Sequence, residues 1–197
     1  NYGKITDSQN KITYNYGTIE KNNASVDTNY SIIENNTGTI NRYSSDATLN
    51  ENSGTINTLS KGSVRKNTGK INDVNDKNVT IYNYAGGTVG KSNDAWGVRA
   101  CTVWNMGGIV QGYSSYADNV KVYNFEGGTV SNLRKGSVIY NLGGTVTDSS
   151  TAQVINCYKV NINSSFVETW NNKFIINPDT GEVWLPEGET GTFTVKD

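Results

Sequence analysis

Asn1-Tyr-Gly-Lys-Ile5, Asn15-Tyr-Gly-Thr-Ile19 and Asn29-Tyr-Ser-Ile-Ile33 repeat one another at a spacing of 14 residues. Further copies run from Asn36 to Ile40, Asn52 to Ile56 and Asn67 to Ile71. A longer form containing Gly-Gly follows, opening at Asn83, Asn105, Asn124 and Asn141 and closing at Val89, Val110, Val130 and Val146. A fixed period of this size marks a repeat architecture, in which one short unit buries its apolar side only by stacking on its neighbours.

The chemistry of the unit is that of a strand and a corner. Lys11-Ile-Thr-Tyr14, Asn78-Val-Thr-Ile-Tyr82 and Asn119-Val-Lys-Val-Tyr123 are short and β-branched, as strands require. Asn tolerates the left-handed region and Gly takes positive φ freely, so Asn-x-Gly supplies the bend. No segment sustains a period of 3.6, and the fold class expected is all-β. Because one corner returns in one register every 14 to 22 residues, the coils are expected to stack as a parallel β-solenoid of about ten coils. Asn then stands over Asn, and the amides of Asn15, Asn29, Asn52, Asn67, Asn83, Asn105, Asn124 and Asn141 are expected to bond up the stack as a ladder.

A coil of 14 residues holds two faces of about seven, whereas the longer coils have room for a third face or protruding loops. The aliphatic residue lies three positions before Asn at Ile12, Val26, Leu49 and Val64, but two before it at Ile81, Val103, Val122 and Val154. The cross-section is therefore expected to change near residues 72 to 80. The rhythm stops after about Phe166, dividing the chain into a solenoid over 1–165 and a hairpin cap or linker over 166–197. Lys173-Phe-Ile-Ile-Asn-Pro-Asp-Thr-Gly-Glu-Val-Trp-Leu185 reads as a hairpin around its Pro-Asp-Thr-Gly turn, with a further strand at Gly191–Val195.

Composition narrows the function classes. The 197 residues carry 17 basic and 18 acidic side chains, a net charge of -1 without a basic block, so neither nucleic acid nor an anionic membrane is an expected partner. No apolar run approaches the ~20 residues of a membrane helix, so membrane insertion is not expected. Hydrophobic residues make up 35%, low for a globular domain, but their even spacing argues for order. Both prolines, Pro178 and Pro186, lie in the tail and leave the repeat ladder unbroken. The chain opens at Asn1 inside a repeat unit, which reads as a piece of a longer protein. Cys101 and Cys157 are about three rungs apart, roughly 14 Å at ~4.8 Å per rung, and are expected to be free thiols.

These Asn-, Gly- and Thr-rich repeats with aliphatic rungs resemble the parallel β-helix or β-roll regions of bacterial surface adhesins and phage tail proteins. The resemblance covers residues 1 to about 165 and is one of repeat style. It implies an extracellular, cell-surface, rigid and elongated presenter of binding surface, and it transfers no individual functional residue.

The chain has no histidine, which removes Ser-His and Cys-His catalysis and His-ligated zinc. Gly86-Gly87 and Gly127-Gly128 continue into Thr-Val rather than a calcium-binding nonapeptide. No catalytic residue, metal site or cofactor is assigned. Two surfaces are candidates for binding. Tyr82, Trp104, Tyr123 and Tyr140 each precede the corner Asn in successive long coils and form an aromatic stripe, either a sheet-stabilising ladder or a platform for sugar rings. The loops at 90–97 and 111–118 bring Trp96, Tyr113 and Tyr116 together with Asp94, Arg99 and Asp118 on adjacent turns. The expected function is a non-enzymatic, adhesion-type protein binding a glycan or a host-cell surface protein. A polysaccharide lyase or hydrolase and a structural spacer are the alternatives.

Overall fold

The computed structural model describes residues 1–90, 97–112, 119–162, 167–171 and 173–195. The repeats form a parallel β-solenoid with two facing sheets. The first sheet opens with β1 (Lys4–Ser8), β3 (Thr18–Asn22), β5 (Ile33–Asn36), the interrupted rung β7 (Thr48–Leu49) and β8 (Glu51–Asn52), and β10 (Ser63–Asn67). It continues through β12 (Thr80–Tyr84), β14 (Thr102–Met106), β16 (Lys121–Phe125), β18 (Val138–Leu142) and β20 (Gln153–Val160). The second sheet begins with β2 (Ile12–Asn15), β4 (Ser25–Asn29), β6 (Thr39–Tyr43), β9 (Thr55–Leu59) and β11 (Lys70–Val74). Its remaining rungs are β13 (Thr88–Val89), β15 (Ile109–Gln111), β17 (Thr129–Ser131) and β19 (Thr145–Thr147). Nine coils are completed rather than about ten, because β20 opens a tenth rung and then leaves the stack.

Registers agree with the sequence columns: Ile19 pairs with Ile33, Val103 with Val122, and Ile56 with both Ile40 and Ile71. An aliphatic column points inward from each sheet, and β9 and β11 add Leu59 and Val74 to it. Val26, Ile40, Ile56, Ile71, Val89 and Val110 face Ile19, Ile33, Leu49, Val64, Ile81 and Val103, and all are fully buried. Each such burial contributes about 1.5–3 kcal/mol, which a single coil could not obtain alone. The change of cross-section is a register shift between β10 and β12: Val64 pairs with Ile81 but Asn67 with Asn83, so one residue is lost between them. Among the described residues the longer coils build no third sheet. They add an inward column instead, Val79, Cys101, Val120 and Ser137, which widens the core. Both cysteines are free, as expected, and burial pushes the Cys101 thiol up to about 12.

The asparagines form two ladders, not one. Asn1 donates to Asn15 at 2.9 Å and Asn15 to Asn29 at 2.6 Å, at the ends of second-sheet strands. A longer ladder follows the first sheet: Asn22 to Asn36, Asn36 to Asn52 and Asn52 to Asn67 at 2.7 Å, then Asn83, Asn105, Asn124 and Asn141. Asn29 and Asn36 are seven residues apart, half a coil, so they stand at opposite corners. The sequence columns that joined Asn15 and Asn29 to Asn52 crossed from one corner to the other and passed over Asn22.

The corners depend on glycine in two ways. In the short coils the need is close approach: a Cβ on Gly54 would lie 2.1 Å from the Gly38 carbonyl oxygen of the preceding coil. In the long coils the first glycine takes positive φ, as at Gly107 (97°). The second makes room for the ladder, since a Cβ on Gly108 would lie 2.2 Å from Asn83 Nδ2.

Beyond the stack, β22 (Ile175–Ile176) and β23 (Val183–Pro186) form the expected hairpin, and β24 (Phe193–Val195) pairs antiparallel with β21 (Val167–Trp170). β23 pairs antiparallel with the second half of β20. Asn177 Oδ1 accepts from the amides of Asp179 and Thr180 and fixes the turn. The hairpin covers the flank of the solenoid rather than its end: Ile175 packs with Phe125 and Leu142, while Val154 on the terminal rung stays 43% exposed.

Candidate functional site

The residue before each ladder asparagine in the long coils points outward, because β-strand side chains alternate and the asparagine points in. In-register stacking then superposes Tyr82, Trp104, Tyr123 and Tyr140. Their ring centroids are separated by 6.1, 4.2 and 5.2 Å, with interplanar angles of 13–25°. Rings stacked in this way cover each other's faces, and the register places Ile155 next to Tyr140. Trp104, Tyr123 and Tyr140, each with a neighbour on both sides, therefore present ring edges and phenol hydroxyls rather than open faces. A sugar ring stacks on a face, so the stripe acts first as a ladder. The Tyr2, Tyr16 and Tyr30 column is built alike, with centroids 5.1 Å apart.

The residue after each asparagine has a different fate. Tyr84, Met106, Phe125 and Leu142 sit on the same flank, where the solenoid alone cannot bury them. The hairpin covers them: Phe125, Leu142 and Ile175 form an apolar cluster with Met106 and Trp184 packed against it. At the far end Tyr84 donates its hydroxyl to Asp179 Oδ1 at 3.1 Å. Burial first, and then this bond to a carboxylate, push the Tyr84 phenol up to about 12.

Between the aromatic column and the hairpin runs an open groove of about 540 Å³. Its floor holds Trp104, Tyr123 and Tyr140, and its opposite wall Phe174, Ile176 and Pro186. Lys173, Glu187 and Glu189 line its rim, with Lys173 paired to Glu189 and both half-exposed. The Glu187 carboxylate has no side-chain partner among the described residues. Burial raises the Tyr123 phenol, with smaller contributions from Tyr140 and Cys157, and the rim sets one lysine against two glutamates.

The sequence located the floor and missed the wall. The signal was present in the paired apolar flanks of Asn105, Asn124 and Asn141, which demanded a cover that no repeat could supply. Of the loop cluster, Asp94, Trp96, Tyr113, Tyr116 and Asp118 lie outside the described residues. Arg99 is half-buried, and its amide donates to the Val74 carbonyl at 2.8 Å. Among the described residues no three metal-ligating side chains cluster, and no helix is long and apolar enough to cross a membrane. No protein-family model, no curated protein and no solved structure matches this chain.

Proposed function

We propose that this chain is a non-catalytic binding scaffold, an adhesion-type surface protein that holds a ligand of another molecule in the groove beside its C-terminal hairpin. The observation that carries the reading is the groove itself. An aromatic floor fixed by in-register stacking meets a wall delivered by a segment outside the repeats, so the site stands on two rigid elements. Aromatic floors with polar rims are the usual composition of binding surfaces, and Tyr and Trp are their usual anchors. The hydrogen-bonded asparagine ladder adds the stiffness that a scaffold displaying a site needs, which also suits a spacer role for the short coils.

Glycan and peptide arrays probed with the wild-type chain and with Tyr140→Ala test this reading. Tyr140 lines the groove and stacks on Tyr123 outside the inward core, so the variant is expected to stay folded with a slightly lowered unfolding midpoint and to lose signal for one ligand class. Superposable arrays from the two proteins would contradict the proposal.

A further inference from the structure

We infer that the groove takes an extended, basic peptide segment of a partner protein. This rests on the groove being the binding surface and names the chemistry that it selects. Two features of the lining act together. The stacked rings of Trp104, Tyr123 and Tyr140 offer their edges, the positive part of the aromatic quadrupole, together with tyrosyl hydroxyls. Both suit an oxygen acceptor such as a peptide carbonyl. The rim has an excess of negative charge, since Lys173 is offset by Glu189 and Glu187 is left over.

A ligand that satisfies both must carry carbonyl oxygens along its length and cations at its sides. An extended chain with Lys or Arg does so. Its carbonyls face the ring edges, its aliphatic stems lie on Phe174, Ile176 and Pro186, and its charged heads reach Glu187 and Glu189. A neutral sugar lacks the cation and finds no open ring face. The Lys173–Glu189 pair is no barrier, because an exposed pair is weak and exchanges partners readily.

The test uses the whole chain and four fluorescently labelled probes: a short peptide alternating Lys with Ser, its Glu counterpart, a neutral chitin oligomer and a cationic glucosamine oligomer. Anisotropy is expected to rise with the Lys peptide alone and to fall back at high salt. Glu187→Gln and Glu189→Gln are each expected to weaken binding about tenfold, as loss of a charge-assisted hydrogen bond does. Asp46→Asn, which removes an exposed carboxylate elsewhere on the chain, is expected to leave binding unchanged. Equal weakening by Asp46→Asn would reduce the effect to bulk charge and overturn the inference. Binding of the glucosamine oligomer as tight as that of the Lys peptide would overturn the peptide assignment, and binding of the Glu peptide or the chitin oligomer would overturn the cationic one. For the alternative probes, loss of their binding on Tyr140→Ala would leave the groove as the binding surface, so failure of the peptide assignment is distinguishable from failure of the groove. Failure of all four probes would overturn the inference and the binding reading together.

Discussion

The short coils of residues 1–74 and the long coils of residues 80–147 share one core and one asparagine ladder but build their corners differently. In the short coils two outward residues separate the buried aliphatic from the buried asparagine, as in Ser63–Asn67. In the long coils only one does, as in Thr80–Tyr84. That single residue decides what happens beyond the asparagine. In the short coils the next residue at this corner is exposed, as at Thr37 and Ser53, whereas in the long coils it turns to the flank and is buried at Phe125 and Leu142. The ladders diverge too. The second-sheet column runs Asn15, Asn29 and then Tyr43, Leu59 and Val74, so it changes from amide to apolar while the first-sheet column stays amide from Asn22 to Asn156. The apolar flank that the hairpin covers lies where one outward residue is lost before the asparagine, and the proposed groove runs beside that flank.

The largest expected effect tests the corner. Gly108→Ala drives a Cβ against Asn83 Nδ2 and the Tyr84 carbonyl and is expected to cost about 3 kcal/mol or more in chemical denaturation. Gly3→Ala, where the nearest atom is Asn1 Oδ1 at 4.0 Å, is expected to change stability by less than about 0.5 kcal/mol. Next comes the ladder. Asn105→Ala breaks bonds on both sides of a buried amide and is expected to cost about 2–3 kcal/mol. Asn29→Leu acts where the column is already turning apolar and is expected to cost about 1 kcal/mol.

A smaller effect has the opposite sign. Ser8 occupies the rung below Asn22 and is too short to hand on an amide bond, which leaves Asn22 Oδ1 buried without a donor. Ser8→Asn is expected to extend the ladder by one rung and stabilise the chain by about 1 kcal/mol. An unchanged or lowered denaturation midpoint would show that the rung cannot be added.

A last effect vanishes at neutral pH and grows only in alkali. Burial raises Tyr43 from 10.0 to about 12 in the short coils and Cys101 from 9.0 to about 12 in the long coils. Both are neutral in folded and unfolded states below about pH 8. Above their unfolded values the unfolded chain releases protons that the folded one retains, so stability falls as pH rises from 9 to 12. Tyr43→Phe is expected to make the denaturation midpoint less dependent on pH between 10 and 12.

Much of this was legible in the residues. The recurrence of Ile and Asn gave the parallel register, the stacked tyrosines and the change of cross-section, because a period-locked chain repeats its contacts as it repeats its letters. The half-coil step from Asn29 to Asn36 was misread, since Ile-x-x-Asn recurs on both sheets and the two corners look alike in sequence. The reason for the second glycine was also hidden, because the atom it accommodates belongs to another coil. The wall of the groove was hardest to see. Phe174 and Glu187 meet the stripe only after the hairpin folds back, and nothing periodic connects them to Trp104.

The stacking of equivalent residues from consecutive coils is most directly tested by paired cysteines at Asn41 and Asn57 in a chain lacking Cys101 and Cys157. Their side chains are hydrogen-bonded at 2.8 Å on adjacent rungs of the second sheet. At ~4.8 Å between rungs the two cysteines lie within disulfide reach, so mild oxidation is expected to give a quantitative intramolecular bridge in the folded chain. Thiols that remain free under oxidation, or that bridge only between molecules, would contradict the solenoid itself.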